Sequence, residues 1–161
     1  MLIRKAKKED IESIHKLDRE STKYHKKFDK DFYTISEKWW KIKKNSQLKS
    51  IKSPTNLILV SEIDGKVVGY IWGYIETIMK HKIGKIQELI VTSKQRGKGI
   101  GKELIKHILD FFKTKECVVS EIEVFVKNLP TIQVYEKIGF KKKEYKMQLK
   151  LNKTKKFRPF F

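Results

Sequence analysis

Residues 86–102 read Ile-Gln-Glu-Leu-Ile-Val-Thr-Ser-Lys-Gln-Arg-Gly-Lys-Gly-Ile-Gly-Lys, and the reading of this stretch decides the fold. It opens as an apolar run, crosses a short polar loop, reaches glycines at 97, 99 and 101, and passes directly into a helical pattern. A strand that feeds a glycine-rich turn and then a helix leaves several backbone N–H groups free at the helix start. Those donors, the positive end of the helix dipole and the charges of Arg96, Lys98 and Lys102 together suit a pyrophosphate. Taken alone, the same residues also fit a basic surface turn. The rest of the chain separates the two.

Downstream of the glycines, Ile100, Leu104, Ile108 and Phe111 recur at helical spacing, which predicts an amphipathic helix to about residue 115. Residues 118–126 alternate as a strand. Because a helix crossover joins it to the strand at 85–91, the two should run parallel. Asn128-Leu-Pro130 opens a further helix, proline being favoured in a first turn, and Gly139-Phe140 closes it as a glycine C-cap. A last hairpin is expected at 141–151, and residues 152–161 form a basic aromatic tail.

Upstream, residues 56–63 and 66–79 read as strands joined by Asp64-Gly65, a strong two-residue hairpin signal. A turn at 81–84 then leads to the strand at 85–91. Gly69 and Gly73 interrupt the side-chain wall of the long strand, marking a bend or a close backbone approach. Before this meander come a short strand at 2–4 and a helix ending near Glu20 with Ile11, Ile14, Leu17 and Asp18 on one face. A second helix at about 35–48 follows. Thr34-Ile-Ser-Glu37 matches a capping box, and Ile35, Trp39, Ile42 and Lys43 would share its inner stripe, leaving Trp40 outside.

Composition narrows the function. At 161 residues the chain is expected to form one domain over 1–151 with a sizeable core. No apolar run approaches the roughly 20 residues of a membrane span, so no membrane partner is expected. The charged N-terminus shows no secretory pattern, and the single Cys117 fits a reducing cytoplasm. The net charge of +19 would concentrate anions. Only Arg4, Arg19, Arg96 and Arg158 among the 38 basic residues are arginines, however, and base reading relies mainly on arginine. No specific nucleic-acid partner is expected. Histidines and carboxylates nowhere cluster at ligand spacing, so no metal is expected either.

The order strand, two helices, three antiparallel strands, helix, strand, helix, strands, with a glycine loop after the third meander strand, resembles the GNAT superfamily of acetyl-coenzyme A-dependent N-acetyltransferases. Three segments carry the resemblance. Arg96-x-x-Gly99-x-Gly101 matches the family's pyrophosphate loop, and Leu89-Ile90-Val91 stands where its splayed strand lends backbone groups to thioester and pantetheine. Asn128-(x)6-Tyr135-Glu-Lys-Ile-Gly139-Phe140 matches its Asn-(x)6-Tyr-Glu-Lys-x-Gly-Phe segment, with Thr131 where relatives often carry alanine.

The resemblance implies an α/β (α+β) fold: a mixed, mostly antiparallel sheet of about seven strands, splayed between strands 4 and 5 and flanked by about four helices. It implies that Leu89, Ile90, Val91, Arg96, Gly97, Lys98, Gly99, Ile100, Gly101, Lys102, Asn128 and Tyr135 line the acetyl-coenzyme A site. Tyr135 is then the candidate acid toward the leaving thiolate, with a core aromatic as its other reading. Asn128 can serve the cofactor, cap its helix, or both. Glu88 is the candidate base or amine ligand, against an exposed salt-bridging role, and strand alternation turns it away from Gln87 and Leu89. The acceptor is a primary amine on a small molecule or a peptide; a non-catalytic acyl-coenzyme A-binding module is the alternative, and a homodimer is left open. In such proteins residues 21–54 and 143–150 set the acceptor. Their basic character suits an acidic peptide or an amine that also carries a carboxylate, and disfavours polyamines.

Overall fold

The computed structural model describes residues 1–30 and 33–149. Strands β1 (Leu2–Lys5), β2 (Asn56–Ile63), β3 (Lys66–Ile78), β4 (His81–Val91) and β5 (Val119–Ile122) form one sheet in the order β1-β2-β3-β4-β5. Every neighbouring pair is antiparallel except β4–β5, which is parallel, as the helical crossover between them requires. Helices α1 (Ile11–His25) and α2 (Glu37–Ile51) precede β2; α3 (Ile100–Thr114) and α4 (Leu129–Ile138) flank β5 in sequence. The four helices and the mixed sheet are those expected, but five strands, not seven, are present among the described residues. Residues 141–149 form no strand, and the rest of the expected hairpin and the tail at 152–161 lie outside the described residues.

Alternation along β2 and β3 sorts the core into two layers. Leu59, Val68 and Ile71 face α3 and pack with Leu104, Ile105, Ile108 and Phe112. Ile58, Val60 and Tyr70 face the other way and meet Ile11, Ile14 and Leu17 of α1. In α3 the ring driven deepest is Phe112, while Phe111 is only half-buried, because Phe112 lies over two strand glycines. A Cβ on Gly73 would come within 2.7 Å of Phe112 Cζ, and a Cβ on Gly84 would collide with the same ring.

This close approach explains the misplaced turn. Gly84 reads as a turn residue in the sequence, yet it lies inside β4, paired opposite Ile75, where only the absence of a side chain admits Phe112. The reversal occurs at Met79 and Lys80, whose φ values of 47° and 72° are left-handed and carry none of the glycine or asparagine that usually announces such a turn.

The second helix also differs. Its N-cap is Ser36, whose Oγ accepts from the Trp39 N–H at 3.3 Å, whereas the Thr34 hydroxyl donates to the Lys30 carbonyl. The inner stripe is Trp40, Lys43, Gln47 and Ser50; Trp39 and Ile42 are 42% and 57% exposed. The inner face of α2 covers charged groups on the sheet and α1, so its apolar periodicity points outward. Helix α1 runs past Glu20 to His25.

Gly84→Ala should therefore lower stability by about 1–3 kcal/mol through overpacking, read from urea denaturation. Adding Phe112→Leu should recover part of that loss. A Gly84→Ala protein as stable as the parent would contradict this packing.

Candidate active site at the parting of two strands

β4 and β5 stay paired only from Ile83↔Val119 to Ile86↔Ile122. β4 continues to Val91 along β3, so the edge of residues 87–91 that would face β5 has no strand partner. The parting therefore begins at Gln87, two residues before the Leu89-Ile90-Val91 segment. A bulge accompanies it: Trp72 pairs with Glu88 and Gly73 with Ile86, leaving Gln87 as the extra residue. The bulge changes which way the side chains face. Ile86, Leu89 and Val91 pack toward α3, whereas Glu88 and Ile90 face α1 and α2. Gln87 and Glu88 consequently line one cavity, in place of the opposite facing that strict alternation predicts.

Beyond Val91 the chain makes a 3-10 turn at Ser93–Gln95 and enters the glycine loop. Gly97 and Gly99 have φ values of 78° and 80°, which only glycine adopts without strain, and a Cβ at either would meet nothing within 4 Å. The N–H groups of residues 97–102 find no acceptor among the described residues, and no side chain caps α3. Six consecutive donors thus point out at the positive end of a 15-residue helix. The lysine ammonium of Lys98 reaches Gln95 Oε1 at 2.8 Å. Arg96 turns back instead: its Nε–H donates to the Val91 carbonyl at 3.0 Å, and its guanidinium lies 5.0 Å from the Tyr24 ring centre.

Across the gap, Asn128 begins α4 and is buried, but its side chain caps nothing. Its Oδ1 accepts from the Tyr24 hydroxyl at 3.4 Å. Tyr24 therefore connects the loop wall to the α4 wall. Tyr135, one helical face further along α4, packs against Phe140 within the α3-side core, and burial pushes its phenol up to about 12. Its hydroxyl makes no hydrogen bond to any described residue. Glu88 and Tyr135 thus approach the opening from opposite faces of the sheet.

Behind Glu88 lies a buried charge cluster. Lys43 Nζ of α2 sits 2.7 Å from Glu88 Oε1 and 2.9 Å from Asp18 Oδ1 of α1. Asp18 also accepts from the Tyr70 hydroxyl and, at 2.9 Å, from Gln47 Nε2. Burial pushes the Glu88 carboxyl above the usual carboxylate range; the Lys43 charge pulls it back and the Asp18 charge pushes it up again. Burial alone would lower Lys43, but Glu88 and Asp18 outweigh it and hold the ammonium more firmly protonated than usual. Glu88 Oε2 has no hydrogen-bond partner among the described residues and is not sealed from solvent.

A cavity of about 210 Å³ opens at that oxygen, walled by Trp39, Ile42, Lys43, Trp72, Gln87 and Glu88. A second, of about 260 Å³, lies between α3 and α4 with Lys102, Lys106, Lys113 and Lys137 along it. Among the described residues no group of three or more His, Cys, Asp or Glu could hold a metal ion, and no helix is long and apolar enough to cross a membrane.

Two residues that sequence reading missed hold the site together. Lys43 had a signal: it and Asp18 are opposite charges on the inward stripes of two consecutive helices. Glu20 had none at short range. Its carboxylate takes the Ser93 N–H at 2.7 Å and the Thr92 hydroxyl at 2.9 Å, pinning α1 to the loop that follows β4. Burial works against that charge, but these hydrogen bonds win and hold its carboxyl below the ordinary range.

A parted parallel strand pair beside a glycine turn of free amides leaves an open strand edge next to the positive end of a helix. Sequence comparison places the chain in the acetyltransferase (GNAT) family, which matches residues 8–140. It is 31% identical over 147 residues to an uncharacterised N-acetyltransferase of Methanocaldococcus jannaschii, covering 88% of this chain and 61% of that one. It is 34% identical over 96 residues to an N-alpha-acetyltransferase of Sulfurisphaera tokodaii, covering 51% and 54%. Each of these matches spans less than two thirds of the relative's own length. A crystal structure of a mutant Bacillus halodurans protein shares the fold with a TM-score of 0.84 at 22% identity, over 94% of this chain and 100% of that one.

The charge cluster generates a stability prediction. Lys43→Met leaves two buried carboxylates without their counter-charge, which should cost about 3–5 kcal/mol at pH 8. Glu88 already binds its proton more readily folded than unfolded, so its protonation favours the folded state as pH falls. Without Lys43 that tendency strengthens, and the deficit should shrink between pH 8 and pH 5. An equal deficit at both values, by urea denaturation, would contradict the cluster.

Proposed function

We propose that the chain transfers an acetyl group from acetyl-coenzyme A to a primary amine by direct attack. The observation that carries this reading is the continuity of the unpaired β4 edge with the six free amides of residues 97–102. An extended arm bearing amides can pair with such an edge as an added strand, while a pyrophosphate takes the free N–H groups. The N-acetyltransferase relatives support nitrogen as the acceptor atom.

The residues present fit the cofactor. Gly97, Gly99 and Gly101 keep the hollow clear of side chains, and a Cβ on Gly101 would meet only Leu89 and Val91 at 3.9 and 4.0 Å, an ordinary contact. The protein's own packing therefore does not demand glycine there. Lys102 and Lys106, in the first two turns of α3 with Glu103 between them, add positive charge for the remaining phosphate. Leu89, Ile90 and Val91 supply the strand edge, Asn128 the opposite wall, and Ile100 anchors the loop in the core. Acetyl-coenzyme A brings the electrophile, a thioester carbonyl.

The chain's residues then handle charge. Glu88 Oε2 receives the acceptor's ammonium and takes a proton from it, directly or through water, so that the nitrogen attacks with a free pair. As the new C–N bond forms and the C–S bond breaks, backbone N–H groups of 89–91 meet the developing oxygen charge. The second proton that the nitrogen loses as the amide forms passes to the sulfur, directly or through water, and the sulfur leaves as the thiol. A phenol at about 12 is fully protonated at neutral pH. Against a thiol near 8.5 its complete transfer is uphill, so the role of Tyr135 is hydrogen-bond donation to the sulfur.

Gly101→Glu isolates the loop assignment. Glutamate in the first turn of α3 is favoured by the helix dipole, so stability should hold or rise, while coenzyme A affinity by calorimetry should fall at least 100-fold. Unchanged affinity would contradict the assignment. Tyr135→Phe should lower kcat about tenfold with little change in KM for acetyl-coenzyme A. Tight cofactor binding by the parent without turnover of any amine would instead leave a binding module.

A further inference from the structure

The chain carries a net charge of +19, yet the cavity at Glu88 does not share it. Among the described residues its one lining cation is Lys43, and that ammonium is already committed to Asp18 and Glu88. Two carboxylates against one ammonium leave the cluster with a net negative charge, and the unpartnered Glu88 Oε2 is where that charge is accessible. The other titratable groups facing Glu88 are the phenols of Tyr70 on β3 and Tyr33 before α2, both raised by burial and so neutral. A phosphate or carboxylate entering here would find no free cation among the described residues.

The apolar part of the wall is Trp39, Ile42 and Trp72; Ser46 and Gln87 are polar neighbours beside the Lys43–Glu88 pair. Trp72 is held by its indole N–H, which donates to Asn56 Oδ1 at 3.2 Å. Trp39 stacks edge-on to Trp40 at 5.2 Å and lies 5.5 Å from the Lys43 ammonium. Ile42 completes the rim. Trp39 and Ile42, turned outward because the inner face of α2 covers charge, are 42% and 57% exposed at the mouth of the cavity. A cavity of about 150 Å³ suffices for a benzene molecule. At about 210 Å³ this one has room for a single ring or a short alkyl chain plus an amino group.

We propose that this cavity is the acceptor subsite and that it selects a primary alkyl- or arylalkylamine carrying no phosphate or carboxylate, its ammonium on Glu88 Oε2 and its carbon frame between Trp39 and Trp72. This reverses the acceptor charge expected from composition, because the lysines that dominate the surface do not line the cavity. The inference rests on the proposed acetyl transfer, and its test separates the two.

The experiment compares kcat/KM of the full chain for phenethylamine, n-hexylamine, glucosamine 6-phosphate, glutamate and an acidic-N-terminal peptide, following thiol release from acetyl-coenzyme A. The first two should exceed the rest at least tenfold. Trp39→Ala, at an exposed position, should raise KM for phenethylamine at least tenfold. Ile42→Lys, which places an unpaired cation at the rim, should lower phenethylamine turnover tenfold and improve glutamate. Preference for the phosphosugar, glutamate or the peptide, or indifference to both variants, overturns the subsite while leaving acetyl transfer standing. Should no amine be acetylated, saturable quenching of tryptophan fluorescence by phenethylamine, lost in Trp39→Ala, would support the cavity's ligand class and contradict acetyl transfer; no quenching would overturn both.

Discussion

Hydrogen bonding between β4 and β5 stops at Ile86↔Ile122, and the site depends on that limit. A parallel pair carried on to Val91 would close the edge of β4 and leave no slot beside the glycine loop. The bulge at Gln87 belongs to the same event: it turns Glu88 toward α1 and α2 while Leu89 and Val91 stay in the α3 core. One irregular residue thus gives the strand both an open edge and a carboxylate on the other face. Glu20, reaching 72 and 73 residues along the chain to Thr92 and Ser93, fixes where the strand ends and the loop begins.

The second constraint is electrostatic. Glu88, Lys43 and Asp18 form a buried triad whose formation is costly in desolvation and whose disruption is costlier, since it strands a charge. Such a cluster is weak grounds for stability as such. What it does geometrically is occupy one Glu88 oxygen and leave the other at a cavity. It also dictates the character of α2, a helix whose inward stripe is Trp40, Lys43, Gln47 and Ser50 because it covers charge.

Sequence patterns made the framework legible because local chemistry and tertiary role coincide there. Asp64-Gly65 turns, Gly139 caps α4 at φ 114°, and the apolar spacing of α3 matches its buried face. Reading failed where one residue type serves two purposes. Gly84 admits Phe112 rather than a turn, and Met79-Lys80 turn without a glycine. The buried side of α2 was inverted because apolar periodicity assumes an apolar partner surface. At the site, the glycine loop, Asn128 and Tyr135 were legible as motif residues. The bulge, the Tyr24 bridge between the walls and the Lys43 clamp were not, since each arises from contacts between segments far apart in sequence. Net charge averages over the whole surface and does not describe the lining of one cavity, where Lys43 is paired with Asp18 and Glu88.

The central claim is that the amides of residues 97–102 receive the phosphates of a coenzyme A arm laid along the open edge of β4. Amide NMR during titration with coenzyme A measures this directly, the more readily because Gly97, Gly99 and Gly101 supply three glycine signals in that run. The account predicts large saturable shifts and slowed hydrogen exchange at residues 97–102, with smaller changes at 89–91. Saturable binding that leaves those amides unshifted, or shifts confined to another face of the sheet, would contradict it.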